Sequence, residues 1–202
     1  MTKSTNAGGS SDTQQMGVLF DQGTVRSQVS EKTTQHHAAL RASPVMKRLE
    51  SAQLSHDEYL NLLDRFLSFY IAAESRRVAL GCFPGHSLIP DICLLSADTG
   101  IIPEDLPQMP TVTDKWGCLG MLYVLHGARF GAKMLQTTIC TQFPAVPHHF
   151  IAQEQTPHQW RLIVLQMENA AHDHARIDAM TRSAKDTYTL FTQWISEAQD
   201  AH

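Results

Sequence analysis

The side chains best suited to chemistry here are eleven histidines, several of them in pairs. His172 and His174 form an HxH among charged residues near an expected helix start, and His148 and His149 follow Pro147. Both pairs read as solvated surface, with weak metal affinity as the lesser alternative for the HxH. His36 and His37 differ, because they sit in the C-terminal half of a helical stretch with apolar neighbours. Adjacent helical residues point about 100° apart, so one of the two can face inward. A lone inward histidine is more often a hydrogen-bonded core residue than a ligand, although a neutral imidazole nitrogen is also a common metal ligand. No GxSxG, HExxH, P-loop or Rossmann glycine pattern occurs.

A second feature is the stretch WGCLGMLYVLHGARFGAKML, Trp116 to Leu135. It has no proline and enough Leu, Met, Ala and Lys for a helix, which ends near Phe143-Pro144. Gly120, Gly127 and Gly131 fall within roughly 40° of one another on its wheel. Each costs about 1 kcal/mol relative to Ala inside a helix. Such a stripe lets a second helix cross closely or lets something flat lie against the backbone, and the spacing alone favours the crossing.

The elements that must position these residues are all helical. From Gln28 apolar residues recur at three- and four-residue steps up to Ser43-Pro44, with Ser27 or Ser30 as the cap. A short helix over Val45–Glu50 follows. Ser55 with Glu58 three residues on is a capping box for a helix running to about Leu80 and stopped by Gly81. Ile89 to Ala97 is a shorter helix ended by Gly100. Residues 101–113 hold Pro103, Pro107 and Pro110 and resist regular structure. One or two turns over His148–Glu154, a helix over Gln159–Asn169 and a last helix beginning at Asp173 or Asp178 complete the chain. No strand pattern appears. The expectation is an all-α fold: a disordered tail over 1–24 and one multihelical domain over 25–202, about eight helices around one core.

Composition narrows the classes. The 202 residues are 43% hydrophobic with a net charge of −4, enough for one core and without a basic field for nucleic acid. No apolar run reaches the ~20 residues of a membrane span and no signal-peptide core is present, so a cytoplasmic protein is expected. Cys82, Cys93, Cys118 and Cys140 make no CxxC or zinc spacing, and Cys93 and Cys118 sit among apolar residues. Buried free thiols in a reducing compartment follow.

An inward His36 or His37 would suit the axial position of heme iron, where a neutral nitrogen is required. At this point the chain resembles a known family. TTQHHAALRASPVMKRL looks like the first helix of heme oxygenases, and YVLHGARFGAKML like their distal helix. The nearest likeness is to the bacterial enzymes that accompany biliverdin-binding phytochromes, with LYVLEGSxLGG as the distal motif. The similarity continues through the Tyr59–Glu74 helix, LLSADTGIIPEDLPQMP and Trp160 to Trp194, covering about 28 to 197.

The resemblance implies a single-domain heme oxygenase-like helical bundle with heme between two helices. His37 matches the proximal iron ligand, with Thr33 four residues before it and Leu40 three after, and His36 then points away. Gly127 and Gly131 become the distal wall, pressed near the ring where only a small ligand such as O2 fits. Tyr188 falls at a pocket aromatic. Heme is substrate and cofactor, opened at a meso carbon to biliverdin, CO and iron. O2 and an external electron donor, a ferredoxin or reductase, are required, and a phytochrome that takes up biliverdin is a further partner. Heme carboxylates need cations at the solvent edge. Arg26, Lys32, Arg129, Lys133 and Arg161 are the candidates, Lys133 ahead because it stands two residues beyond Gly131.

The chain departs from the family at Arg41, where Glu is frequent, at His126-Gly127-Ala128 in place of Glu-Gly-Ser, and at Ala132 in place of a second Gly. Some members carry at the Ala128 position a polar side chain that organises distal water, which Ala cannot do. Two other classes are compatible with the pattern: a heme- or bilin-binding protein without turnover, and a di-metal or thiamine-precursor enzyme of the same helical fold. The di-metal version requires inward Glu-x-x-His sets that the sequence does not offer.

Overall fold

The structure, a computed structural model, describes residues 24–153 and 157–197. Of the expected tail only Thr24 falls within that range, as does the short segment after His148 up to residue 153. Among the described residues there are eight α-helices, one 3-10 turn and no strand. The helices are α1 (Val25–Ala42), α2 (Pro44–Glu50), α3 (His56–Ala79), α4 (Ile89–Thr99), α5 (Lys115–Gln142), α6 (His149–Ala152), α7 (Pro157–Glu168) and α8 (His174–Ser196); the 3-10 turn is Pro84–His86.

Local chemistry accounts for most of the boundaries. The capping box at α3 forms in full: Ser55 Oγ accepts from Glu58 N, and the Glu58 carboxylate accepts from Ser55 N at 2.7 Å. Asp114 accepts from Trp116 N and Gly117 N, both at 2.8 Å, and starts α5. Gly81 and Gly100 stop their helices at φ +61° and +67°, a region open to glycine. The start of α1 differs from expectation. Its cap is Thr24, which accepts from Ser27 N, and a second acceptor arrives from far along the chain: the Glu168 carboxylate takes Val25 N at 3.0 Å and Arg26 N at 3.3 Å.

Helix α5 runs through the centre. Every residue from Gly117 to His126 is buried, and α5 packs chiefly on α8, which also carries α1. On the other side α3 packs on α4. Tyr59, Phe69, Tyr70, Leu119 and Met121 are all within 1% of complete burial. Each such side chain contributes about 1.5–3 kcal/mol of hydrophobic stabilisation.

The Gly120 part of the stripe is a helix crossing. A Cβ there would lie 2.2 Å from the main-chain oxygen of Met180 on α8. Two other expectations are corrected. Cys93 is exposed, because the inward face of α4 is set by Asp91, Leu95 and Asp98, and Cys93 falls about 200° from Asp91. His148 is half-buried rather than solvated, meeting Tyr59 Oη at 3.3 Å and Phe143 O at 2.8 Å, while His149 lies at the surface as expected, with its Nδ1 against the buried Asp98 carboxylate at 2.8 Å. The four cysteines are free thiols, and no described helix is long and apolar enough to cross a membrane.

Candidate active site

Helices α1 and α5 face each other across a cavity of about 500 Å³, within the size range of cofactor sites. On α1 the residues Thr33, His37, Leu40 and Arg41 recur at three- and four-residue steps and line one wall. His36 is not on that wall; it is half-buried, and its Nδ1 has no partner among the described residues. On α5 the facing residues are Gly127, Ala128, Gly131, Met134 and Leu135. Nothing lies within 4 Å of where a Cβ on Gly131 would stand, and a Cβ on Gly127 would meet only the Trp160 ring at 3.8 Å. The glycine stripe therefore has two uses, a close crossing at Gly120 and an open wall from Gly127 onward.

His37 carries the chemistry this cavity can support. Its ring nitrogens have no hydrogen-bond partner among the described residues, and its ring meets Tyr188 edge-on at 5.8 Å between centroids. Burial, with the Arg41 charge as the second cause, lowers its pKa below the ordinary histidine value. Both effects keep the ring neutral at pH 7, the form that donates a lone pair to a metal. Thr33 is buried and returns its hydroxyl to Val29 O at 2.8 Å, so it offers a satisfied surface. Tyr188 reaches the same cavity from α8, its phenol pKa raised by burial.

The site also recruits residues that spacing did not indicate. Tyr70 donates to Leu125 O at 2.9 Å and fastens α3 to α5 two residues before Gly127. Trp160 stands against Phe130 at 5.2 Å and Tyr123 at 5.6 Å between centroids, forming one aromatic wall. The contributions of Met46 and Leu49 from α2 and Phe150 from α6 have no local sequence signal.

The cations stand elsewhere than expected. Lys133 is exposed and off the cavity, because two residues beyond Gly131 is about 200° around the helix. Arg129 Nη2 turns to the buried Asp91 carboxylate at 2.8 Å, Lys32 pairs with Asp178 at 3.2 Å, and neither Arg26 nor Arg161 lines the cavity. Among the described residues the lining cation is Arg41.

Behind the Gly127–Gly131 face, His126 is 4% exposed and His86 is 5% exposed, their ring centroids 6.4 Å apart. Burial drives the His126 pKa down to about 4; a hydrogen bond to the His86 main chain opposes this, and the charges of His86 and Arg129 assist it. A histidine whose folded pKa lies below its unfolded value keeps full stability above the unfolded value. That stability is lost as pH falls towards the folded one. Between pH 6.5 and about 4 the fold should therefore lose about 3 kcal/mol through this group. His126→Leu should flatten that acid limb in denaturation curves at pH 7 and 4.5, leaving the smaller fall due to His86, whose pKa is also lowered, by burial first and Arg77 second. An unchanged pH dependence in the variant would remove His126 as its source.

No family model matches the chain, and no curated protein matches it. Among solved structures the chain is similar to heme oxygenase from Leptospira interrogans, with a TM-score of 0.67 and 15% identity over 86% of this chain and 99% of that one. At that identity the likeness establishes the fold: the protein has the all-α heme oxygenase fold.

Proposed function

We propose that this chain is a heme oxygenase, opening heme at a meso carbon to biliverdin, CO and iron. The observation that carries the reading is the placement of a neutral, unpartnered His37 opposite the side-chain-free Gly127–Gly131 face across one cavity, within this fold. Heme when bound supplies the iron and the oxidisable ring, while O2 and electrons come from outside. The residues supply binding and orientation. His37 offers its nitrogen, and Tyr188 against its edge restricts the tilt of the ring. Gly127 and Gly131 leave space for a flat ligand and a small second one above it, and Trp160, Phe130 and Tyr123 shield that space from water. The Tyr70–Leu125 hydrogen bond fixes the height of the distal wall.

A single experiment separates turnover from binding. One equivalent of heme should give a His-ligated absorption spectrum, and a reductant in air should then turn the sample from purple to green. A spectrum that forms and persists would instead support a heme- or bilin-binding protein without turnover. One observation favours that second reading: between Gly127 and Leu135 the side chains α5 turns to the cavity include no hydrogen-bond donor, Ala128 among them. An electron-donor protein and a biliverdin-receiving phytochrome are the partners this proposal carries with it.

Gly131→Leu tests the wall. The new side chain starts into open space, with nothing within 4 Å of its Cβ, and Leu has the better helical propensity. The variant should fold with a native thermal midpoint, load heme through His37, and lose about 5- to 150-fold in heme breakdown through overpacking worth about 1–3 kcal/mol. Full turnover would show that α5 is not the wall over the iron.

A further inference from the structure

Among the described residues the cavity lining contains two charged side chains, Arg41 on the last turn of α1 and Glu50 at the end of α2. They pair at the rim: Arg41 Nη2 and Nε both approach one oxygen, Glu50 Oε1, at 3.0 and 3.2 Å. This is not a two-oxygen fork. It leaves the Arg41 Nη1 donors without a partner among the described residues, and it spends a guanidinium suited to a carboxylate on half of one. The Arg41 side chain is 56% exposed and that of Glu50 is 33% exposed. A pair so solvated is worth about 0–1 kcal/mol, so a ligand carboxylate can replace Glu50 at little cost.

The position matches the need. Arg41 lies four residues after His37, about 6 Å further along α1 on the same face, and its charge is felt at the His37 ring. Among the described residues the remaining walls offer no competing cation. Trp160, Phe130 and Tyr123 form an apolar aromatic group, and the Thr34 hydroxyl near the start of the wall is committed to Ser30 O at 2.9 Å. A planar ligand with its carboxylates along one edge thus finds one place for that edge.

Resting on the reading proposed above, the geometry points to Arg41 as the specificity-determining residue that takes the carboxylate edge of the bound ring in exchange for Glu50. It thereby sets which edge faces α2. Glu50 is the internal competitor that holds the guanidinium in place until the ligand arrives.

The test uses the full chain and two probes, heme and heme dimethyl ester, which differ only in carrying free or blocked carboxylates. Affinity is read from quenching of tryptophan fluorescence and from the absorption of the bound ring, independently of turnover. The native protein should bind heme about tenfold more tightly than the ester, the scale of one charge-assisted hydrogen bond. Arg41→Gln should bind the two probes about equally, with ester affinity unchanged. Arg41→Lys should keep part of the preference. Glu50→Gln should bind heme as tightly as the native protein or more so. Because Arg41 is exposed, thermal midpoints of these variants should stay native. An Arg41→Gln protein that keeps the full preference for heme, or a native protein that has no preference, overturns the assignment while the heme oxygenase reading stands. Failure of the native protein to bind either probe overturns both.

Discussion

Gly120→Ala should be the most damaging single-methyl change in this protein. The added carbon would lie 2.2 Å from the Met180 carbonyl oxygen and 2.9 Å from its carbon, and neither is the end of a flexible side chain. Relief requires α5 and α8 to separate, and these two helices form the principal packing of the fold. Alanine returns about 1 kcal/mol of helix propensity. Overpacking against main chain at a buried crossing outweighs it, and a net loss of about 3 kcal/mol is expected. Against a total stability of about 5–15 kcal/mol that is a large fraction. Urea denaturation would show it as a lower midpoint with an unchanged slope. Gly131→Ala, with nothing within 4 Å, should leave the midpoint the same or slightly higher. A Gly120→Ala protein as stable as the native one would mean that the crossing is loose.

His37→Ala should remove the His-ligated heme spectrum and weaken heme binding by more than about a hundredfold, since even the loss of a residue that merely supports a metal ligand costs 10–100-fold. The deletion leaves a space shaped like the missing ring beside Tyr188, so added imidazole should restore the spectrum without restoring the covalent tether. His36→Ala should leave the spectrum intact. Its stability should change little, because the buried Nδ1 it removes has no partner among the described residues to lose. If His36→Ala loses the spectrum and His37→Ala keeps it, the face of α1 has been misassigned by one residue.

The sequence made some of this legible and left some of it out of reach. The capping box at Ser55 and the stop at Gly100 were readable because both partners stand within a few residues of each other. The start of α1 was not: Ser27 and Ser30 are as good cap residues as Thr24, and the deciding acceptor, Glu168, is 143 residues away. The glycine spacing announced that something approaches α5 closely. It could not say that Met180 does so at Gly120 while the face at Gly131 stays open, because residues on one stripe look alike until their neighbours are known. Arg41 stands one turn beyond His37 on the same face, a spacing legible in the sequence, whereas the candidate cations Arg26, Lys32, Arg129, Lys133 and Arg161 all lie off the cavity. The ties of His148 to Tyr59 and of Tyr70 to Leu125 join residues 89 and 55 positions apart and leave no local trace.

The hydrogen bonds from Val25 and Arg26 to Glu168 have a consequence for the order in which the protein is made. Helix α1 leaves the ribosome first among the described elements, yet the Glu168 carboxylate that accepts its first two N–H groups and its main packing partner, α8, come from the last two helices to be made. At roughly 5–20 residues per second, the 143 residues between Val25 and Glu168 take about 7–30 s to add. Through that interval the apolar side of α1, Val25, Val29 and Leu40 included, lacks α8, its principal native cover. The helix that carries His37 is therefore the last piece to be seated, on a scaffold whose α3, α4 and α5 can already have met.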